Sequence, residues 1–235
     1  MGRGPRGGLR PCQSRLVQTE IETIAMTAAA READPNGLQT CWSCKGPVVS
    51  AAMFCATCGA VQPPGQGDHF TRLGLTRDFD VDKGDLDQRY FALQRDLHPD
   101  RFATRSARER EISLQQSTSL NQAYETVKSP LVRAEYLLSL NGVTVNAETG
   151  NRPADPNVLM EAMESREALA EAGTEAEVTA LAARARESHA QCLGALTAAF
   201  RADDMDAAAR LATRLKYLAK FAEEARGRAR AARAS

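Results

Sequence analysis

Two constellations in this chain combine residue types and spacings that could do chemistry. The first is Cys41-Trp-Ser-Cys44 followed, ten residues on, by Cys55-Ala-Thr-Cys58. Each C-x-x-C pair can wrap a tight knuckle that aims two thiolates at one ion. Four thiolates complete the tetrahedral site that suits Zn(II) and leave no open position, so the metal would be structural. Gly46 and Gly59 stand where such knuckles need unusual dihedrals. So short a segment has few apolar contacts, and the metal would be its core, covered by Trp42, Val48 and Phe54. Ligand type alone also allows an iron–sulfur cluster. A thioredoxin-like redox motif is disfavoured, because there are two pairs and no βαβ pattern around them. Cys12 and Cys192 are isolated, and the paired spacing of the other four argues for a reducing compartment rather than disulfides.

The second constellation is His98-Pro99-Asp100, set between two helical patterns. Upstream, Leu86, Tyr90, Leu93 and Leu97 recur at helical spacing; downstream, Ile112, Leu120, Ala123 and Val127 do the same, with Tyr124 beside them. Pro99 lacks an N–H and biases His98 away from helical dihedrals, so the first helix ends there and the two fold back as a pair. His98 and Asp100 then lie on an exposed turn. Read alone, they are a polar connection between helices.

Around these motifs the chain divides into segments. Residues 1–40 read as a disordered or targeting extension, 41–62 as the cysteine module, and 63–67 as a Pro/Gly linker. Residues 68–140 form a helical unit: a short helix from His69 to Gly74, a second from about Lys83 to Leu97, a third from about Ala107 to Lys128, and a fourth over 131–140. Residues 141–155 form a linker. From Pro156 to about residue 230 the pattern gives three helices near 156–172, 175–201 and 204–226, with Asp155-Pro156 and Thr174/Glu177 as start signals. They should pack as an antiparallel bundle, with a frayed tail after Gly227. The fold class is therefore all-α, preceded by a small zinc module.

Composition narrows the function. Lys plus Arg equal Asp plus Glu at 30 each, which argues against general binding to nucleic acid. No apolar run approaches bilayer length, so no membrane partner is expected. Before Glu20 the chain has Arg3, Arg6, Arg10 and Arg15 but no acid, as in a mitochondrial presequence; the Gly and Pro in its first turns speak against one. The expected location is a bacterial cytoplasm, with the mitochondrial matrix as the alternative, and translation starts at Met1 or Met26.

The segment His69-Phe-Thr-Arg-Leu-Gly-Leu75, the turn with Arg101 and Phe102, and Asn121-Gln-Ala-Tyr124 follow in the order seen in J-domains. Gln115-Gln-Ser117, Asn121-Gln-Ala-Tyr-Glu-Thr126 and Pro130-Leu-Val-Arg-Ala-Glu-Tyr-Leu-Leu-Ser-Leu140 resemble the HscB family more specifically. These are J-type co-chaperones of iron–sulfur cluster assembly, some with a cysteine extension like this one. The resemblance covers residues 68 to about 226 and implies a J-domain helical hairpin followed by a three-helix bundle. It implies no active site. It implies instead that His98, Pro99 and Asp100, with Arg89, Arg95 and Arg101, dock on a DnaK/HscA-class chaperone and stimulate its ATPase. Asp85, Asp87 and Asp96 make this helix less basic than the family pattern. The resemblance also assigns Leu159, Met160, Met163, Arg166, Glu167 and Tyr217 to binding of the cluster scaffold protein, with Met163 where leucine is more usual. Periodicity alone would place Leu159, Met163 and Tyr217 in the bundle core. A homo-oligomer is compatible with all of this. The rival functions are a general J-domain co-chaperone for unfolded clients and a zinc-ribbon protein binding nucleic acid.

Overall fold

The computed structural model describes residues 37–144 and 155–234. The expected extension over 1–40 and linker over 141–155 fall mostly outside them. Two short strands, β1 (Leu38–Thr40) and β2 (Pro47–Val49), pair antiparallel with Leu38 opposite Val49. They frame the cysteine module and went unread in the sequence, because three-residue strands carry no periodicity.

The helical unit comprises α1 (His69–Arg72), α2 (Lys83–Leu97), a 3-10 turn (Pro99–Phe102), α3 (Ala107–Lys128) and α4 (Pro130–Leu140). Local chemistry fixes each start. Asp68 and Asp82 cap α1 and α2 by accepting the N–H groups of Thr71 and Asp85. Ser106 and Glu109 form a reciprocal capping box for α3. Gly74 closes α1 at φ +66, and its carbonyl accepts Arg89 Nη1 at 2.6 Å. An added Cβ would be strained by that dihedral and would crowd the same guanidinium at 3.2 Å.

The carboxy-terminal helices are α5 (Pro156–Glu171), α6 (Glu175–Arg201) and α7 (Met205–Ala234). Asp155 caps α5, with Pro156 as its first residue, and Thr174 with Glu177 boxes the start of α6. The tail does not fray at Gly227 as the sequence suggested. Helix α7 runs on through it because Arg228 donates to the last carbonyls of α5, those of Leu169 and Ala172, and Ala229 packs on the distal core. That core (Leu169, Val178, Ala182, Ala185, Phe221, Ala222, Ala225) is mostly alanine, which lets the helices approach closely.

The hairpin and the bundle share one core. Phe70, Leu86, Leu97, Leu120 and Leu138 belong to the same buried cluster as Leu196, Ala208, Ala212 and Leu215. The run Arg133-Ala-Glu-Tyr-Leu-Leu138 is the junction. Ala134, Leu137 and Leu138 are buried, and Tyr136 Oη accepts the His69 N–H at 3.0 Å. Glu135 faces Lys216 of α7, and burial raises its pKa. Arg133 is buried, donates to the Val127 carbonyl at 2.5 Å and lies over the Phe79 ring, which stacks on Phe200 of α6. Burial disfavours its charge, and Asp80 and Asp78 offset part of that. Arg133→Met keeps the stem but strips the donor from a buried carbonyl. It should lower stability by about 2–3 kcal/mol, read as a fall in the urea midpoint.

Candidate functional site

The cysteine module is built from two matching knuckles. In the first, Lys45 N–H donates to Cys41 O and Cys41 N–H to Gly46 O; in the second, Gly59 N–H donates to Cys55 O and Cys55 N–H to Ala60 O. The left-handed position falls on Lys45 (φ 64) and Gly59 (φ 70). Gly46 was the wrong choice, because the turn of the first knuckle comes one residue earlier. The four Sγ atoms lie within 4.8 Å of one another, with Cys41–Cys58 and Cys44–Cys55 at 3.8 Å. Sulfurs about 2.3 Å from a single tetrahedral ion stand about 3.8 Å apart, so the donor set fits one metal ion. Thiolates held on different irons of a cluster would be spread more widely.

Charge is not favoured equally at Cys41 and Cys44. Burial pushes Cys41 up, yet N–H groups from Cys44 and Ser43 and the neighbouring thiols outweigh it and draw it down to about 6. Cys44 is favoured as an anion by the Gly46 N–H, but the Cys58, Cys55 and Cys41 sulfurs push it up to about 11. Sulfurs this close cannot all ionise without a cation between them. Val48 packs with Cys41 and Cys55 as expected. Trp42 instead faces the helical unit: its Nε1 donates to Val61 O at 2.7 Å, and Arg108 lies over its ring. Phe54 is over a third exposed.

At the second site Leu97 ends α2 and His98, at ψ 131, turns the chain out. His98 Nδ1 accepts the Asp100 N–H at 3.3 Å and lies 3.5 Å from its carboxylate, so a neutral ring carries its proton on Nε2. The His98 side chain is 48% exposed and that of Asp100 91%, while Pro99 is partly covered and Phe102 buried. Both polar groups are therefore presented to solvent on an anchored turn. The anchor was missed in the sequence: Ser113 and Ser117 of α3 both donate to the buried Leu97 carbonyl, at 2.7 and 3.1 Å. Two serines four apart on a largely apolar stripe were the signal. Arg101 pairs with Asp96 at 3.1 Å and donates to Arg95 O, which gathers these residues beside the turn. Arg89 sits about 12 Å back along α2, tied to Asp85 at 2.8 Å and to the end of α1.

At the third site Val158, Ala162, Ser165 and Leu169 form the side of α5 turned toward its neighbours. Val158 and Leu169 are buried, while Leu159, Met160 and Met163 are 39%, 59% and 63% exposed. Leu159, Met163, Arg166 and Glu167 share the outward flank, as their 4-3-1 spacing dictates. Core periodicity therefore misplaces Leu159 and Met163. Arg166 reaches Glu224 of α7 at 3.4 Å. Tyr217 of α7 is half-buried and lines a small crevice with Val158, Glu161, Ala162 and Arg214. Glu161 and Arg214 make a two-pronged ion pair at 2.6 and 2.9 Å that sets α5 against α7, and sequence reading missed it. Its partners are 53 residues apart, beyond any local pattern.

Known proteins are similar to this chain in sequence and in fold. A family model described as the HSCB C-terminal oligomerisation domain matches residues 154–226. The human iron–sulfur cluster co-chaperone protein HscB is 35% identical over 200 residues, covering 83% of this chain and 84% of the human protein. The co-chaperone protein HscB homolog of Vibrio cholerae is 40% identical over 161 residues, 67% of this chain and 94% of that protein. The crystal structure of human co-chaperone protein HscB superposes with a TM-score of 0.74 at 34% identity, covering 81% of this chain and 98% of that one. Among the described residues, no helix is long and apolar enough to cross a membrane. The architecture and these matches agree: the chain belongs to the HscB family of co-chaperones.

Proposed function

We propose that this protein is a J-type co-chaperone of iron–sulfur cluster assembly that binds the cluster scaffold protein, delivers it to a DnaK/HscA-class chaperone and stimulates that chaperone's ATPase. The observation that carries this reading is the presentation of His98 and Asp100 in solvent on a turn whose base is buried and hydrogen-bonded. Such a turn costs the fold nothing to expose and keeps one geometry for a partner. The chaperone contact centres on His98, Pro99 and Asp100, with Arg95 and Arg101 beside them and Arg89 further along α2. Since Arg89 and Arg101 are already engaged by Asp85 and Asp96, docking depends more on the turn than on long-range steering by charge. The scaffold contact is the outward flank of α5, with Leu159, Met160 and Met163 as apolar anchors, Arg166 and Glu167 as the charged rim, and Tyr217 at its edge.

The four thiols hold one structural zinc ion: Cys41, Cys44, Cys55 and Cys58 supply a sulfur-only, closed tetrahedral set. The ion contributes folding energy and no catalytic step. The description of the matching carboxy-terminal family model supports self-association through the α5–α7 bundle. The proposed compartment is a bacterial cytoplasm, with the mitochondrial matrix as the alternative if the arginines before Glu20 act as a presequence.

The test is chaperone ATP hydrolysis in steady state, with and without scaffold. The parent should raise the rate, and scaffold should raise it further. His98→Gln keeps size and polarity at an exposed position, so folding and scaffold affinity should hold while most of the stimulation is lost. Full stimulation by this variant would overturn the assignment. Stimulation by the parent that scaffold does not alter would point to the rival reading, a co-chaperone for unfolded clients.

A further inference from the structure

The buried stripe of α3 carries three polar side chains that an apolar core does not require: Ser113, Gln116 and Ser117, all under a tenth exposed. The serines hold the Leu97 carbonyl beneath the His98 turn. Gln116, between them in sequence, bonds away from the hairpin. Its Nε2 donates to the backbone carbonyl of Gln62 at 2.7 Å. Gln62 is itself buried, and its Nε2 donates to Ala60 O at 2.7 Å and to Cys41 Sγ at 3.4 Å. Cys41 Sγ also receives the Ser43 N–H at 3.4 Å. A continuous path of bonded groups thus runs from a metal-ligating sulfur to the helix that fixes the exposed turn. Val61, beside Gln62, is buried in the hairpin's own core, and Arg72 Nη2 fastens the segment from the other side by donating to Gly65 O at 2.8 Å.

We propose that the cysteine module is a metal-dependent brace for the exposed His98–Asp100 turn, with Gln62 and Gln116 as the positioning residues that join the metal site to α3. The inference rests on the reading of that turn as the chaperone contact, and it names a regulation of it. The physics is linkage. A module this small folds only around its ion. If it opens, Gln116 loses the carbonyl that satisfies its buried amide, and the α3 stripe must admit water or shift. The loaded module and the packed hairpin therefore favour each other, and thermodynamics makes that coupling reciprocal: what weakens the brace also weakens the hold on the metal. A donor to the ligand sulfur acts in the same direction, because it orients the thiolate toward the ion. An apolar contact alone would hold the module in several registers; two directed amides hold it in one.

The test uses the full-length protein, loaded with one zinc ion or stripped by excess chelator, and follows amide hydrogen exchange. Removing the ion should speed exchange at least about tenfold over 112–118 and over the turn at 98–102. Amides in the middle of α6, in the distal half of the bundle, serve as the unchanged control. In the reciprocal arm, Gln116→Leu fills the space without the amide and should weaken zinc binding about tenfold in competition with a chromogenic chelator. In that variant the ion should no longer influence exchange in α3. Identical exchange in α3 with and without zinc would overturn the proposal, as would parental zinc affinity in Gln116→Leu. Should that variant misfold, the parent comparison and Gln62→Met, which removes the side-chain bonds to Cys41 and Ala60 but keeps the carbonyl that Gln116 uses, decide the matter. No arm involves a chaperone, so its failure is separable from failure of the ATPase test.

Discussion

Cys44→Ser is expected to take the zinc content from about one ion per chain to near zero, measured by atomic emission on the purified protein. Three sulfurs and a hydroxyl cannot match a closed thiolate set for a borderline-soft ion. Structural zinc in small modules is worth about 10–16 kcal/mol in apparent binding free energy. The apolar cluster available to replace it is Cys41, Val48 and Cys55 with Ala52 against them. The module should therefore unfold, with loss of exchange protection over 41–62, while the helical circular dichroism of the remainder persists. Because thiols must shed protons to bind, loading should release acid into a weakly buffered solution, and affinity should fall as pH is lowered. Stoichiometric zinc in Cys44→Ser, or iron with visible absorbance in the parent, would defeat the assignment.

The second large effect is expected at the α5 flank. Leu159→Ala together with Met163→Ala should weaken binding of the cluster scaffold by about 1–2 kcal/mol for each side chain, at least about thirtyfold for the pair, measured by titration calorimetry. Because both side chains are largely exposed in the free protein, the melting temperature should change little. A marked drop in melting temperature at unchanged affinity would return both residues to the core. Combining the pair with His98→Gln should give both defects side by side, the weakened scaffold binding and the loss of most ATPase stimulation, since the two surfaces share no residue.

Legibility in the sequence followed the range of the interactions. Helix starts at Asp155 and Thr174 were readable because a cap and its partner lie within three residues. The C-x-x-C spacing announced the cluster of four thiols for the same reason. Periodicity reported which side of a helix is apolar in broad terms, but in alanine-rich α5 it could not tell a buried Val158 from an exposed Leu159 next to it. The resemblance carried that assignment, and the exposures agree with it. What stayed hidden were bonds that close only in three dimensions: Ser113 and Ser117 under Leu97, Gln116 on Gln62, Arg214 on Glu161, and Arg228 on the end of α5. The expected fraying after Gly227 failed through that last bond. Glycine lowers helix propensity locally, and packing against α5 overrode it.

The core shared by hairpin and bundle has a consequence for how two large partners meet. Phe79 stacked on Phe200, Arg201 paired with Asp80 at 2.9 Å, and Leu138 clustered with Leu196 and Leu215 pack the two parts against each other as one body. A tethered pair of binding modules raises the local concentration of one partner near the other, by an amount set by tether length. A welded pair does something else: it fixes the angle of approach. On the function proposed above, whatever sits on the flank of α5 would reach the ATPase in a single orientation, as on a jig, and a cargo of the right affinity but the wrong outline would be turned away.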